Sequence, residues 1–127
     1  MNLISIDFGL AKAGVAIAFG PIAEPYQVVR YKEIKILIKR IKEIIEKEKS
    51  EKLIIGISEG YMAQKTREFI LELKKEIQIP IQEYDETLST QDAQMMAIEG
   101  GMKRSKRQKQ EDAIAAAILL QNYMDEN

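Results

Sequence analysis

Short apolar runs, followed by a change of period, divide the chain into elements. LISID (3–7) is an apolar run closed by an acid and predicts a strand. FGLAKAG follows, with Gly9 and Gly14 read as turn residues, and GVAIAF (14–19) predicts a second strand. The short gap between the two predicts an antiparallel hairpin. Gly20-Pro21 and Pro25 punctuate the next loop, and YQVVR (26–30) completes a three-stranded meander. The period then changes. Ile34, Leu37, Ile38, Ile41, Ile44 and Ile45 recur at helical spacing among Lys and Glu, which predicts an amphipathic helix of about 16 residues. LIIGI (53–57) reads as a fourth strand. A second helix is predicted over 63–77, with Phe69, Ile70, Leu73 and Ile77 on one face. Pro80 ends it, and PIQEY (80–84) reads as the fifth strand. LSTQDAQ (88–94) predicts a helix start with Ser89 or Thr90 as N-cap, closed by Gly100-Gly101. A basic loop follows, and the last helix is predicted over 111–124, where small residues suggest close packing onto a sheet.

The order β-β-β-α-β-α-β-α-α predicts an α/β fold. A meander feeding βαβ crossovers gives a mixed five-stranded sheet flanked by helices. The length of 127 residues fits one domain spanning 1–127, without internal repeats or linkers.

Composition narrows the chemistry. Apolar residues make up 46% of the chain, which argues against disorder. Cysteine and histidine are both absent, so disulfides, thiolate zinc sites, Cys nucleophiles and His-based triads are excluded. Any catalysis rests on carboxylates, lysines, hydroxyls or a metal held by oxygen. The opening MNLISIDFG has neither a basic region nor a long apolar one, so it does not read as a signal peptide. No apolar run reaches the roughly 18 residues needed to span a bilayer. These features predict a soluble, cytoplasmic protein without membrane partners.

The formal net charge of −1 argues against generic coating of nucleic acid. It does not exclude a local patch. MKRSKRQKQEDAIAAA (102–117) places Lys103, Arg104, Lys106, Arg107 and Lys109 just before Glu111 and Asp112. Other acids sit at element ends: Asp7 closes the first strand, and Asp85 and Glu86 follow the fifth. The first and fourth strands are expected to be neighbours, with the fifth beyond, so their C-terminal ends would share one edge, where open α/β sheets place their sites. A last helix crossing that edge would bring Asp112 to the same space. Converging carboxylates repel unless a cation neutralises them, and Mg²⁺ or Mn²⁺ suits all-oxygen ligation. Two such ions could clamp the attacking and leaving oxygens of a phosphodiester, with the basic loop holding the backbone over them. Each piece also has a plain structural reading. A strand-end Asp is ordinarily a turn or cap residue, Asp85 and Glu86 can prepare a helix N-cap, and acids in a first helical turn suit the macrodipole. Residues 9–14 (GLAKAG) fail as a Walker A loop, since no Gly-Lys-Ser/Thr follows and a strand comes next. They read better as a tight hairpin whose glycines permit close approach of a ligand backbone.

IDFGLAKAGVAIA (6–18), LIIGI (53–57), YDETLSTQDA (84–93) and QEDAIAAAILLQNYMD (110–125) together resemble the YqgF/RuvX family of RNase H-like nucleases, over nearly the whole chain. That resemblance implies a fold like that of Holliday-junction resolvases. It also implies a divalent-metal-dependent endonuclease that trims the 5′ end of precursor 16S rRNA, or a resolvase acting on four-way DNA. The implied partners are precursor rRNA or branched DNA and precursor ribosomal particles, with the protein a monomer or homodimer. By the resemblance, Asp7, Glu86 and Asp112 fall on the three acidic catalytic and metal-binding positions for Mg²⁺ or Mn²⁺. Lys12 falls on a basic position of the first loop, and Lys103, Arg104, Lys106, Arg107 and Lys109 on the basic segment that contacts nucleic acid. The chain departs from the pattern at Thr87, where the family usually has arginine, and at Ser58-Glu59-Gly60, where it usually has Pro-x-Asn-x-x-Gly. Glu59 adds an acid at a strand end and is a candidate fourth ligand. A non-enzymatic nucleic-acid-binding module is the alternative that Thr87 raises. A sugar-kinase or actin-like ATPase also begins with Asp-x-Gly and a hairpin, but needs two domains and a second phosphate loop, for which 127 residues leave no room.

Overall fold

The structure, a computed structural model, describes residues 1–85 and 104–127, with side chains in the last helix described from Gln110 onward. Five strands are present among them: β1 (Leu3–Phe8), β2 (Lys12–Ala18), β3 (Glu24–Arg30), β4 (Lys52–Ile57) and β5 (Ile81–Asp85). Helix α1 (Ile34–Glu48) joins β3 to β4, α2 (Gly60–Lys74) joins β4 to β5, and α3 (Arg104–Glu126) follows. The sheet order is β3-β2-β1-β4-β5. β1 pairs antiparallel with β2 and parallel with β4, and β4 pairs parallel with β5, so the expected mixed sheet forms. The helix expected over 88–101 lies outside the described residues.

Strand alternation decides what each face receives. Ile4, Ile6 and Phe8 of β1 and Leu53, Ile55 and Ile57 of β4 turn to one face, where Leu37, Ile41 and Ile44 of α1 and Phe69 and Leu73 of α2 pack on them. This is the stripe that the helical period of 34–45 announces. The other face belongs to α3. There Leu3 of β1, Ala16 and Ala18 of β2 and Ile54 of β4 meet Ala116, Ala117 and Leu120. Ser5, fully buried on this face, donates from Oγ to the Ala116 carbonyl at 2.7 Å. At the far end Tyr84 of β5 meets Tyr123 edge-on, with ring centroids 6.2 Å apart.

Several expected bounds are corrected: β1 runs one residue past Asp7 to Phe8, β2 spans Lys12–Ala18 and not 14–19, and β3 starts at Glu24 and not at 26. The second helix runs from Gly60 to Lys74, not 63–77, because apolar spacing marks a face and not its ends. Ile77 lies past the helix yet donates its N–H to the Leu73 carbonyl at 3.1 Å and packs on the core. The fifth strand includes Asp85 and does not stop before it. The last helix starts at Arg104, so residues 104–109 are helical and not a loop. Lys, Arg and Gln are good helix formers, and no Gly or Pro interrupts 104–126.

Candidate active site

The β1–β2 hairpin builds the floor. Asp7 is two residues beyond Ser5 in β1 and so shares the face that carries α3. Its direct partner across the ladder is Gly14. An ideal Cβ at Gly14 would lie 1.9 Å from the Asp112 carbonyl oxygen and 2.7 Å from the Ala113 nitrogen. The backbone of α3 therefore rests on β2 at this point, with only hydrogen between the two main chains. Gly14 is neither a turn residue nor a berth for ligand backbone, as the sequence suggests. It is a strand residue whose open side is filled by the helix. Since cross-strand partners stand about 5 Å apart, Gly14 has as its neighbours both Asp7 and the backbone of Asp112, from opposite ends of the described chain.

Asp112 sits eight residues downstream of Arg104, well inside α3 and not in its first turn. The macrodipole acts within the first turn only, so it does not account for this acid. What holds its side chain is Lys12, the first residue of β2, whose Nζ lies 3.0 Å from Asp112 Oδ2. Lys12 and Gly14 share a face by the same alternation. The resemblance puts Lys12 on a basic position of the first loop; it is the first residue of β2 and pairs with Asp112. The signal available was the run of small residues at 14, 16 and 18, which marks a strand face that a helix can approach closely.

The loop before Lys12 is anchored from the opposite side. The Tyr31 hydroxyl donates to the Gly9 carbonyl, and the Tyr31 N–H donates to the Ala11 carbonyl at 3.1 Å. Burial pushes the Tyr31 hydroxyl above its ordinary pKa, so it stays a donor. Phe8 stacks on Phe69 at 4.4 Å and supports the same hairpin from α2.

Of the remaining candidates, Glu86 and Lys103 lie outside the described residues. Arg104, Lys106, Arg107 and Lys109 occupy the turns of α3 that precede Asp112, the farthest about 12 Å along the helix axis. Glu59 is exposed at the start of α2. It lines a cavity of about 290 Å³ with Ser58, Arg67, Glu83, Tyr84 and Asp85 at the carboxyl edge of β4 and β5. Arg67 pairs with Glu83 there at 3.6 Å. Among the described residues no three acids gather closely enough to hold one ion. The structure thus pairs Lys12 with Asp112 and places the Asp112 backbone on Gly14, the ladder partner of Asp7.

A family model described as "RuvX: Holliday junction resolvase" matches residues 1–126. The chain belongs to the RuvX family. A candidate pre-16S rRNA nuclease of Halothermothrix orenii is 35% identical over 133 residues, covering 98% of this chain and 95% of its own. A relative with the same description in Desulforamulus reducens is 33% identical, with 98% and 97% covered. Among solved structures, Thermus thermophilus RuvC bound to a Holliday junction substrate superposes with a TM-score of 0.68 at 18% identity, covering 100% of this chain and 96% of that one. The fowlpox virus resolvase with Holliday junction DNA superposes with a TM-score of 0.64 at 14% identity, with 99% and 98% covered. The RuvX chain therefore has the RNase H-like fold of the resolvases. Among its described residues no helix is long and apolar enough to cross a membrane.

Proposed function

We propose that this RuvX protein is a divalent-metal-dependent endonuclease that hydrolyses phosphodiester bonds in structured nucleic acid, with the 5′ end of precursor 16S rRNA as its substrate in the cytoplasm. The observation that supports the reading is that Gly14 has Asp7 as its ladder partner and the Asp112 backbone lying on it. Asp7 and Asp112, far apart along the chain, both flank Gly14, and Lys12 pairs with Asp112. Such a pair of acids costs free energy without positive charge between its members.

The donors are all oxygen, which fits Mg²⁺ or Mn²⁺ and not a soft metal. Asp7 and Asp112 would hold the ion, with Glu86 as the third acid. When bound, the metal supplies an activated water and neutralises charge on the phosphoryl oxygens. The protein's own part is to fix the two carboxylates through backbone contact and to keep positive charge nearby. Arg104, Lys106, Arg107 and Lys109, with Lys103 beside them, would track the phosphate backbone leading to the acids. Glu59 would serve as an outer acid from the neighbouring cavity. The relatives' description as pre-16S rRNA nucleases supports the choice of RNA.

The family model's own description supports a second reading, a resolvase cutting four-way DNA. One assay separates the two. The full chain is incubated with Mg²⁺ or Mn²⁺ and either a precursor 16S rRNA 5′ segment or a four-way junction, with Asp7→Asn as control. The expected result is metal-dependent cleavage of the RNA that Asp7→Asn abolishes. Cleavage of the junction alone would favour the resolvase, and an Asp7→Asn protein as active as wild type would remove the acids from the chemistry.

A further inference from the structure

We infer that Lys12 is a tethered counterion that competes with divalent metal for the Asp112 carboxylate, so that loading the acid pair frees its ammonium to meet a substrate phosphate. This rests on the reading of Asp7 and Asp112 as metal ligands. Four observations lead to it. The Lys12 ammonium lies 3.0 Å from Asp112 Oδ2, a contact that occupies an oxygen the metal needs. Its backbone is fixed, paired with Arg30 in β3 and preceded by a loop that Tyr31 ties at Gly9 and Ala11, so displacement is left to the flexible side chain. The side chains of Lys12 and Asp112 are 41% and 29% exposed, so water reaches the pair and it is a weak one. A divalent ion at the same carboxylate both outcompetes a single charge and repels the ammonium a few ångströms away. The released amine stays on the face that carries Asp7 and α3, beside the bound ion, where a scissile phosphate would add negative charge.

The test reads the lysine and the ion separately on the full-length protein. Brief amine acylation followed by mass spectrometry reports Lys12, with the other lysines as reference, and calorimetry reports Mn²⁺ and Mg²⁺ binding. Saturating Mg²⁺ is expected to speed acylation of Lys12 several-fold, and Asp112→Asn is expected to show the fast rate without metal. Lys12→Gln is expected to bind Mn²⁺ about two- to fivefold more tightly than wild type, the most that a water-accessible pair can withhold. If calorimetry shows ions bound, and Asp7→Asn abolishes that binding, while Lys12 acylation stays unchanged, the counterion role falls and the acid site stands. If neither ion binds the wild-type protein, both fall. The acylation arm uses the unsubstituted chain, so a folding defect in a variant cannot mask the outcome.

Discussion

Adding one methyl group at Gly14 probes the contact on which the site depends. On the strand alone, Gly→Ala restricts the unfolded chain and would stabilise by about 0.4–1 kcal/mol. The environment reverses that sign. The new Cβ would fall 1.9 Å from the Asp112 carbonyl oxygen and 2.1 Å from its carbon, and both are backbone atoms that no rotamer change can move. Restoring an ordinary 3.4 Å contact requires α3 and β2 to separate by about 1.5 Å. That shift also loosens the packing of Ala116, Ala117 and Leu120 on the sheet. Overpacking of this kind costs about 1–3 kcal/mol, and the immovable neighbour puts Gly14→Ala at the upper end. Denaturant titration followed by circular dichroism would show it as a lower midpoint with an unchanged slope. The displaced carboxylate predicts a second effect, a fall of roughly a hundredfold in metal-dependent cleavage, because a 1 Å misplacement suffices for that. A variant within about 0.5 kcal/mol of wild type would refute the backbone contact, and full cleavage in a destabilised variant would detach the chemistry from it.

Two further outcomes follow from contacts around the same helix. Ser5→Ala removes the buried hydrogen bond to the Ala116 carbonyl and is expected to lower unfolding free energy by about 1 kcal/mol, measured by the same titration; an unchanged midpoint would show that the bond contributes nothing net. Burial, the bond to Glu126 and the charges of Glu126 and Asp85 push the Tyr84 hydroxyl up to about 12. A raised pKa means that the folded state keeps its proton longer than the unfolded chain. The stability it contributes is therefore complete below about pH 10 and lost as pH rises through about 12. Stability measured from pH 9 to pH 12 should fall more steeply for wild type than for Tyr84→Phe, and parallel curves would contradict the shift.

What was legible in the sequence was whatever repeats locally. The isoleucines of α1 recur every three or four residues, and the runs at 3–7, 14–19 and 53–57 are short and apolar, so those elements and their order were readable. The start of α3 was not, because residues 104–109 have charge but no apolar stripe, and helix propensity alone had to be trusted over the look of a loop. Asp7 was readable as a candidate from its place near the end of β1, and Asp112 from a helix start expected at 111, although the helix begins at Arg104 and Asp112 lies well inside it. The reason both flank Gly14 was not, since Gly14 looks like a turn residue until the helix is laid on it. The Lys12–Asp112 pair joins residues a hundred positions apart, and no pattern along the chain encodes it.

The packing of α3 on the N-terminal hairpin has a consequence for biosynthesis. One acid emerges from the ribosome with the first strand, the other only with the final helix, and joining them closes almost the entire polypeptide into one loop. A growing chain thus carries half an acid pair and an uncovered patch around Ala16 and Ala18 until α3 has been made and laid on the hairpin.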